Sequence, residues 1–295
     1  MKKKTIKELI EEGTKTLHRK GIESPRLDAE VLLDSVLKCG RITFYSHPDR
    51  LIDENKVKEY VDKINRRGAF EPVAYITGQK EFMGFSFKVT HDVLIPRPDT
   101  EPIIEAIIGT VIPSLFGNDR SSLCVLDLCT GSGAIGLSLK KNRNDIKITL
   151  SDISKTALNV ARENAQRLEI DDAVFIQSDL YNDFPVDVHY DLIVSNPPYI
   201  PDEIIKTLQK DIVDYEPYLA LSGGESGYEI YECIARDSGS LLNNQGIIVL
   251  EVGDGQAEHV ENLLENQGFS IIQEIPDLTG MIRGVIARKD SFEKI

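Results

Sequence analysis

The rhythm of apolar and polar positions changes along the chain. Up to about residue 84 it is helical. Thr5 with Glu8 forms a capping box ahead of Leu9 and Ile10. Ser24-Pro25 opens a second helix, with proline at the first helical position. Behind it Ala29, Val31, Leu32, Leu33, Val36 and Leu37 supply a wide apolar face. A third helix is predicted over 54–67, ending at Gly68. Over 72–95 the period changes: Phe82, Phe85, Phe87 and Val89 largely alternate with other residues around Gly84, which predicts a short β-hairpin linker at 80–95.

From about residue 120 strand-like and helix-like segments alternate. Strands are predicted at Leu123–Leu128, Ile146–Leu150, Ala173–Ile176, Leu192–Val194 and Gly246–Val252, and two last ones at 270–275 and 282–288. Helices are predicted over 154–168, 227–242 and 256–267. Such alternation implies an α/β fold with a mostly parallel, doubly wound sheet. Ligands of these sheets bind at the carboxyl ends of the strands, near the point where strand order reverses. Four successive strands end in polar punctuation, at Asp127–Gly133, Asp152, Asp179 and Asn196–Tyr199, which would line one edge together.

Composition narrows the classes of function. Of 295 residues, 41% are hydrophobic and 28% charged, as in ordinary folded proteins. The net charge of −14 argues against affinity built on nucleic-acid phosphates, so no direct nucleic-acid partner is expected. Residues 1–84 carry 17 basic and 14 acidic residues, a net +3, and residues 85–295 carry 17 and 34, a net −17. That asymmetry supports a boundary near residue 85. No uncharged run reaches the roughly 18 residues of a membrane span. The basic start lacks the apolar stretch of a signal peptide. The four cysteines form no C-x-x-C pair and the five histidines are scattered, so neither a disulfide framework nor a metal site is expected. A cytoplasmic protein is expected.

Asp127-Leu-Cys129-Thr130-Gly131-Ser132-Gly133 reads as a strand-to-helix turn whose glycines let the backbone approach a ligand. Gly131-Ser-Gly-Ala-Ile-Gly136 also fits the dinucleotide fingerprint, with Asp152 about twenty residues on. An acidic residue there binds ribose hydroxyls for either cofactor class, so this half of the site says "nucleoside" and no more. A plain βα turn and a helix-capping role for Asp152 are the bland alternatives. Asn196-Pro197-Pro198-Tyr199 is more specific. Its prolines have no N–H, so the turn offers carbonyl oxygens along Pro197-Pro198 without competing donors. Asn196 adds a side-chain acceptor and Tyr199 a flat face. The set suits a planar –NH2 group, although two prolines after a strand can also be a simple turn.

These residues resemble S-adenosyl-L-methionine-dependent methyltransferases of planar amino groups, and more closely the release factor glutamine methyltransferase (PrmC/HemK) family. The likeness runs over nearly the whole chain: Tyr75–Gly78, Phe82–Phe85, Leu94–Glu101, Asp127–Gly133, Ser195–Tyr199, Glu216-Pro217 with Gly223-Gly224, and Asp277–Gly280 with Arg283. It implies a small helical domain over 1–84, a hairpin linker and a Rossmann-like domain over 96–295 with a seven-stranded, mostly parallel sheet. It implies S-adenosyl-L-methionine as cofactor, S-adenosyl-L-homocysteine as product, and a peptide-chain release factor as partner, methylated on the glutamine of its Gly-Gly-Gln loop. Carried over, Asp127, Cys129, Thr130, Gly131, Ser132, Gly133 and Asp152 would hold the methionine and ribose parts, and Asp179 and Leu180 would flank the adenine. Asn196, Pro197, Pro198 and Tyr199 would hold the glutamine amide, and Arg97 would steady the entrance or make a surface ion pair. Cys129 stands where the family usually has glycine, and Asp99 where it usually has glutamate. Three other readings share parts of the pattern. They are a DNA adenine methyltransferase, an NAD-dependent oxidoreductase, and a nucleoside-binding adaptor without catalysis.

Overall fold

The computed structural model describes residues 3–113, 122–277 and 279–290. Met1 and Lys2 of the basic start and Leu278 of the Asp277–Gly280 motif lie outside the described residues. The chain divides into two units, Met1–Gln79 with Gln209–Tyr215, and Lys80–Leu208 with Glu216–Ile295.

In the first unit strands β1 (Lys4–Thr5) and β2 (Leu51–Ile52) pair antiparallel. The helices are α1 (Ile6–Arg19), α2 (Pro25–Leu37), α3 (Ile42–Ser46), α4 (Glu54–Gly68) and α5 (Val73–Thr77). The capping box forms: Glu8 N donates to Thr5 Oγ1 at 3.2 Å, and Thr5 N donates to Glu8 Oε2 at 2.8 Å. Ile6, Leu9, Leu17, Leu32, Leu33 and Val57 pack into a core of their own. Helix α5 occupies the first part of the 72–95 stretch where the period changes, ahead of the hairpin expected at 80–95. Pro72 opens this single turn, Gly78 closes it with φ +74°, and Tyr75 and Ile76 are buried. One turn is too short for a period to be read. In the returning segment Tyr215 Oη donates to Ala69 O at 2.8 Å.

The second unit contains the hairpin, β3 (Gln79–Phe82) and β4 (Phe85–Lys88), turned at Met83 and Gly84 with φ +51° and +75°. Two left-handed residues in a two-residue turn match the right-handed twist of the strands. The hairpin is built into this unit. Phe82 and Phe87 lie in its core, and Asn164 binds both its chain and the glycine turn. Asn164 Nδ2 donates to Lys88 O at 3.0 Å and to Ser132 O at 2.9 Å, while Lys88 N donates to Asn164 Oδ1 at 2.6 Å.

Helix α6 (Glu101–Ala106) precedes β5 (Cys124–Leu128), α7 (Ala134–Asn142), β6 (Lys147–Asp152), α8 (Lys155–Arg167), β7 (Val174–Gln177) and β8 (Tyr190–Ser195). Then follow α9 (Glu229–Leu241), β9 (Leu242–Glu251), α10 (Ala257–Asn266), β10 (Phe269–Pro276) and β11 (Ile282–Lys289). The seven strands are ordered β7-β6-β5-β8-β9-β11-β10. Only β11 runs against its neighbours. Val125, Leu192, Val194 and Ile247 face one core, and Leu126, Ile193, Ile248 and Leu250 face the other. Burial on both faces is why these strands read as continuous apolar runs. Strand order reverses between β5 and β8, which places the predicted polar edge at the switch point. Among the described residues no helix is long and apolar enough to cross a membrane, and no group of three or more His, Cys, Asp or Glu could hold a metal ion.

Candidate active site

At the carboxyl edge of the sheet lies a cavity of about 300 Å³. Cys129, Thr130, Gly131 and Ser132 line it after β5, Asp152 after β6, Asp179 and Leu180 after β7, and Asn196 and Pro198 after β8. A further wall comes from the stretch after the hairpin, including Val93, Leu94 and Arg97. Asp127, Gly133, Pro197 and Tyr199 are not among the lining residues.

The glycine turn is held from below by Asp127, whose Oδ2 accepts from Thr130 Oγ1 at 2.5 Å and from Gly136 N at 2.8 Å. Its Oδ1 is buried and has no hydrogen-bond partner among the described residues. Burial raises the Asp127 carboxyl to about 7, since a charge is costly away from water. Cys129 stands at φ +59°, a left-handed conformation natural to the glycine the family usually has there. Gly131, at φ +55°, faces open space: a Cβ there would meet nothing within 4 Å. Asp152 ends β6 and ties the turn to the next strand, because Gly131 N donates to its Oδ2 and Ser154 N to its Oδ1, both at 2.9 Å. Burial also raises the Asp152 carboxyl, against those two backbone hydrogen bonds.

The Asn196–Tyr199 turn is held by residues distant in sequence. Ser195 Oγ donates to Leu128 O at 2.7 Å, fixing the end of β8 against β5. Gln256 Nε2 donates to Tyr199 O at 3.1 Å, and Gln256 Oε1 accepts from Gly253 N at 3.0 Å. The Leu221–Gly223 segment runs beside the turn, with Ile200 N donating to Leu221 O and Gly223 N to Ile200 O, both at 3.0 Å. Gly223 must lack a side chain there, since a Cβ would lie 2.7 Å from Tyr199 Cα. Burial raises the Tyr199 phenol above its ordinary value, with Glu251 adding to the effect.

Arg97 pairs with the buried Glu216 at 2.6 Å, joining two of the quoted motifs. Asp277 caps its own turn through Thr279 N and Met281 N and accepts from Arg283 Nε at 3.1 Å. Arg283 also lies 3.7 Å from Asp99. Glu251 and Gln256 were missed in the sequence, and Thr100 stood only inside the Leu94–Glu101 motif, with no role of its own. Glu251 carries the same signal as Asp127, Asp152 and Asp179, an acidic residue at the end of a strand, on the strand after the one that ends before Asn196.

The cavity suits S-adenosyl-L-methionine. The open space above Gly131 admits a ligand against the backbone, and a cationic amino group brought to the turn would favour the charged form of the buried Asp127. Each Asp152 oxygen keeps a second lone pair for a ribose hydroxyl.

Comparison with known proteins agrees with this geometry. A family model of the PrmC N-terminal domain matches residues 8–78, and one of the methyltransferase small domain matches residues 112–250. A release factor glutamine methyltransferase of Clostridium acetobutylicum is 42% identical over 262 residues, covering 88% of this chain and 90% of that protein. One from Clostridium botulinum is 38% identical over 286 residues, covering 96% and 99%. In fold, the chain is similar to a crystal structure of a methyltransferase from Pyrococcus furiosus, with a TM-score of 0.52, 19% identity, and coverage of 77% of this chain and 99% of that one. These relatives favour neither the DNA adenine nor the NAD-dependent reading. Relatives at 42% and 38% identity that span most of both chains show the family: the chain belongs to the release factor glutamine methyltransferase family.

Proposed function

We propose that the protein acts in the cytoplasm and transfers a methyl group from S-adenosyl-L-methionine to the side-chain amide nitrogen of the glutamine in the Gly-Gly-Gln loop of a peptide-chain release factor. One observation carries this reading: Asn196 and Pro198 line the same cavity as Cys129–Ser132 and Asp152. On this reading an amide-binding turn and a nucleoside-binding turn share one space.

The cofactor, when bound, supplies an electrophilic methyl on a sulfonium with a neutral leaving group. The protein's work is then alignment, which can supply several kcal/mol of the barrier. An amide nitrogen is a weak nucleophile because its lone pair is delocalised. The Asn196 side-chain oxygen accepts one of its N–H groups, and a carbonyl oxygen of the Pro197-Pro198 turn accepts the other. This raises electron density on the nitrogen and stabilises positive charge as it develops. Tyr199 supports the turn from behind. No histidine or lysine belongs to the turn, so the amide proton leaves late, to solvent or a backbone oxygen.

The amide grip is small, and ordering a flexible loop costs about 0.5–1.5 kcal/mol for each immobilised side chain. Further contact must come from elsewhere, and the first unit, with no nucleoside or amide motif, supplies it by docking the release factor. The test is transfer of labelled methyl to purified release factor, with the modified residue mapped by mass spectrometry. Label on the Gly-Gly-Gln glutamine supports the reading. Label on another residue, or on a duplex oligonucleotide alone, defeats it.

A further inference from the structure

The end of β9 faces the end of β8. Ser195 is paired with Leu250 in the parallel register, so the next residues on each strand, Asn196 and Glu251, are neighbours. Glu251 is 3% exposed and is not among the residues lining the cavity. Its Oε2 accepts from Thr100 Oγ1 at 2.6 Å. The Asn196 side chain, beside it in that register, favours the charged carboxyl, as a neighbouring donor does. Tyr231 Oη donates to the Glu251 backbone carbonyl at 2.8 Å, which holds the residue from the α9 side. A buried carboxyl with this anchoring serves no evident purpose in packing, where leucine would do better.

We propose that Glu251 is a positioning residue that sets which end of the Asn196 amide faces the acceptor. An asparagine side chain presents either an oxygen or an NH2, and the two are nearly isosteric. Only the oxygen can accept from a glutamine N–H. Because Glu251 takes the Asn196 NH2 as a donor, the Asn196 oxygen is left for the cavity. Burial raises the Glu251 carboxyl to about 7, yet its neutral form does the same work. The carbonyl oxygen still accepts from Asn196, and the O–H turns to Thr100 Oγ1. Reach therefore matters and charge does not. This inference rests on the functional reading above.

The test compares Glu251→Gln with Glu251→Asp in the full-length chain. Glutamine keeps the reach and loses the charge; aspartate keeps the charge and falls one methylene short. Both are polar and spare the core a large cavity. Glu251→Asp should lower kcat for release-factor methylation by about tenfold to a hundredfold, as for a buried donor left without its partner. Glu251→Gln should retain most of the activity. Calorimetric affinity for S-adenosyl-L-methionine should be unchanged in both. In an Asn196→Ala background the aspartate substitution should cause no further loss, which a merely structural role would not predict. Equal activity of the two variants, a glutamine variant worse than the aspartate variant, or full additivity with Asn196→Ala would overturn the proposal. If the unsubstituted chain fails to methylate the glutamine, the functional reading itself has failed.

Discussion

The two turns at the carboxyl edge of the sheet are built on different plans. The Cys129–Gly133 turn is a local construction. Its backbone is shaped by left-handed residues and held chiefly by Asp127, Gly136 and Asp152 of one strand-helix-strand unit, with Asn164 of the next helix reaching Ser132. The Asn196–Tyr199 turn makes no such local network. It is held by Gln256, beyond the end of β9, and by the Leu221–Gly223 segment, each many residues away, with Glu251 beside Asn196 in the strand register. A nucleoside can be gripped through backbone geometry that one segment encodes. A single amide needs two acceptors aimed within a hydrogen bond's tolerance, and the surrounding fold supplies that precision.

The largest effect should fall on the amide turn. Asn196→Ala should lower kcat by about 10²–10³, the usual loss when a group aimed at developing charge is removed. Its cofactor affinity should stay near normal in calorimetry. Near-normal turnover would mean the amide is held another way. Asp152→Ala should act on the other half. Losing a charge-assisted hydrogen bond costs about 1.5–3 kcal/mol, roughly ten- to a hundredfold in affinity for S-adenosyl-L-methionine. Unchanged affinity would remove Asp152 from the cofactor site. Gly223→Ala should push the amide turn out of place without touching the cofactor turn. Overpacking of this kind costs about 1–3 kcal/mol, so transfer to the release factor should drop by about tenfold or more while cofactor binding persists.

Much of this contrast was readable in the sequence, for the same physical reason that divides the two turns. The central strands show as apolar runs because both faces of the sheet are covered there. The glycine turn and Asp152 show because their partners are near in sequence. Asn196-Pro197-Pro198-Tyr199 shows because prolines are conspicuous. Thr100 and Gln256 do not show, since a buried threonine or a glutamine clamp has no local pattern. The hairpin was legible as strands but not as part of the second unit, which depends on Asn164 and on where Phe82 and Phe87 pack. A chain cut at Lys80 should therefore keep cofactor binding and lose most activity on intact release factor, but not on a short Gly-Gly-Gln peptide. Equal loss on both would remove the docking role. A cut at Phe85 deletes buried Phe82 and should cost about 3–5 kcal/mol of stability as well, measurable in denaturant.

Each half also buries one carboxyl, Asp127 and Glu251, that burial raises to about 7. The folded values lie above the unfolded ones. The stability these groups contribute is thus present below about pH 4 and lost as pH rises through about 7. Denaturant midpoints of the cofactor-free protein should fall across that window, and Glu251→Gln should flatten the fall. A slope unchanged by the substitution would contradict the raised value for Glu251. The smallest effect is expected at Cys129. In Cys129→Gly, relief of left-handed strain is offset by the freedom glycine gains when unfolded, so stability should change by less than about 1 kcal/mol. A large change in cofactor affinity would instead place the thiol in the site.

The division of labour between the turns is tested most directly by single-turnover methylation of a release factor, with Asp152→Ala and Asn196→Ala measured side by side as the cofactor is raised to saturation. The account predicts that the Asp152 variant recovers most of the unsubstituted rate and that the Asn196 variant stays slow at every concentration. Recovery of the Asn196 variant with a persistently slow Asp152 variant would contradict it.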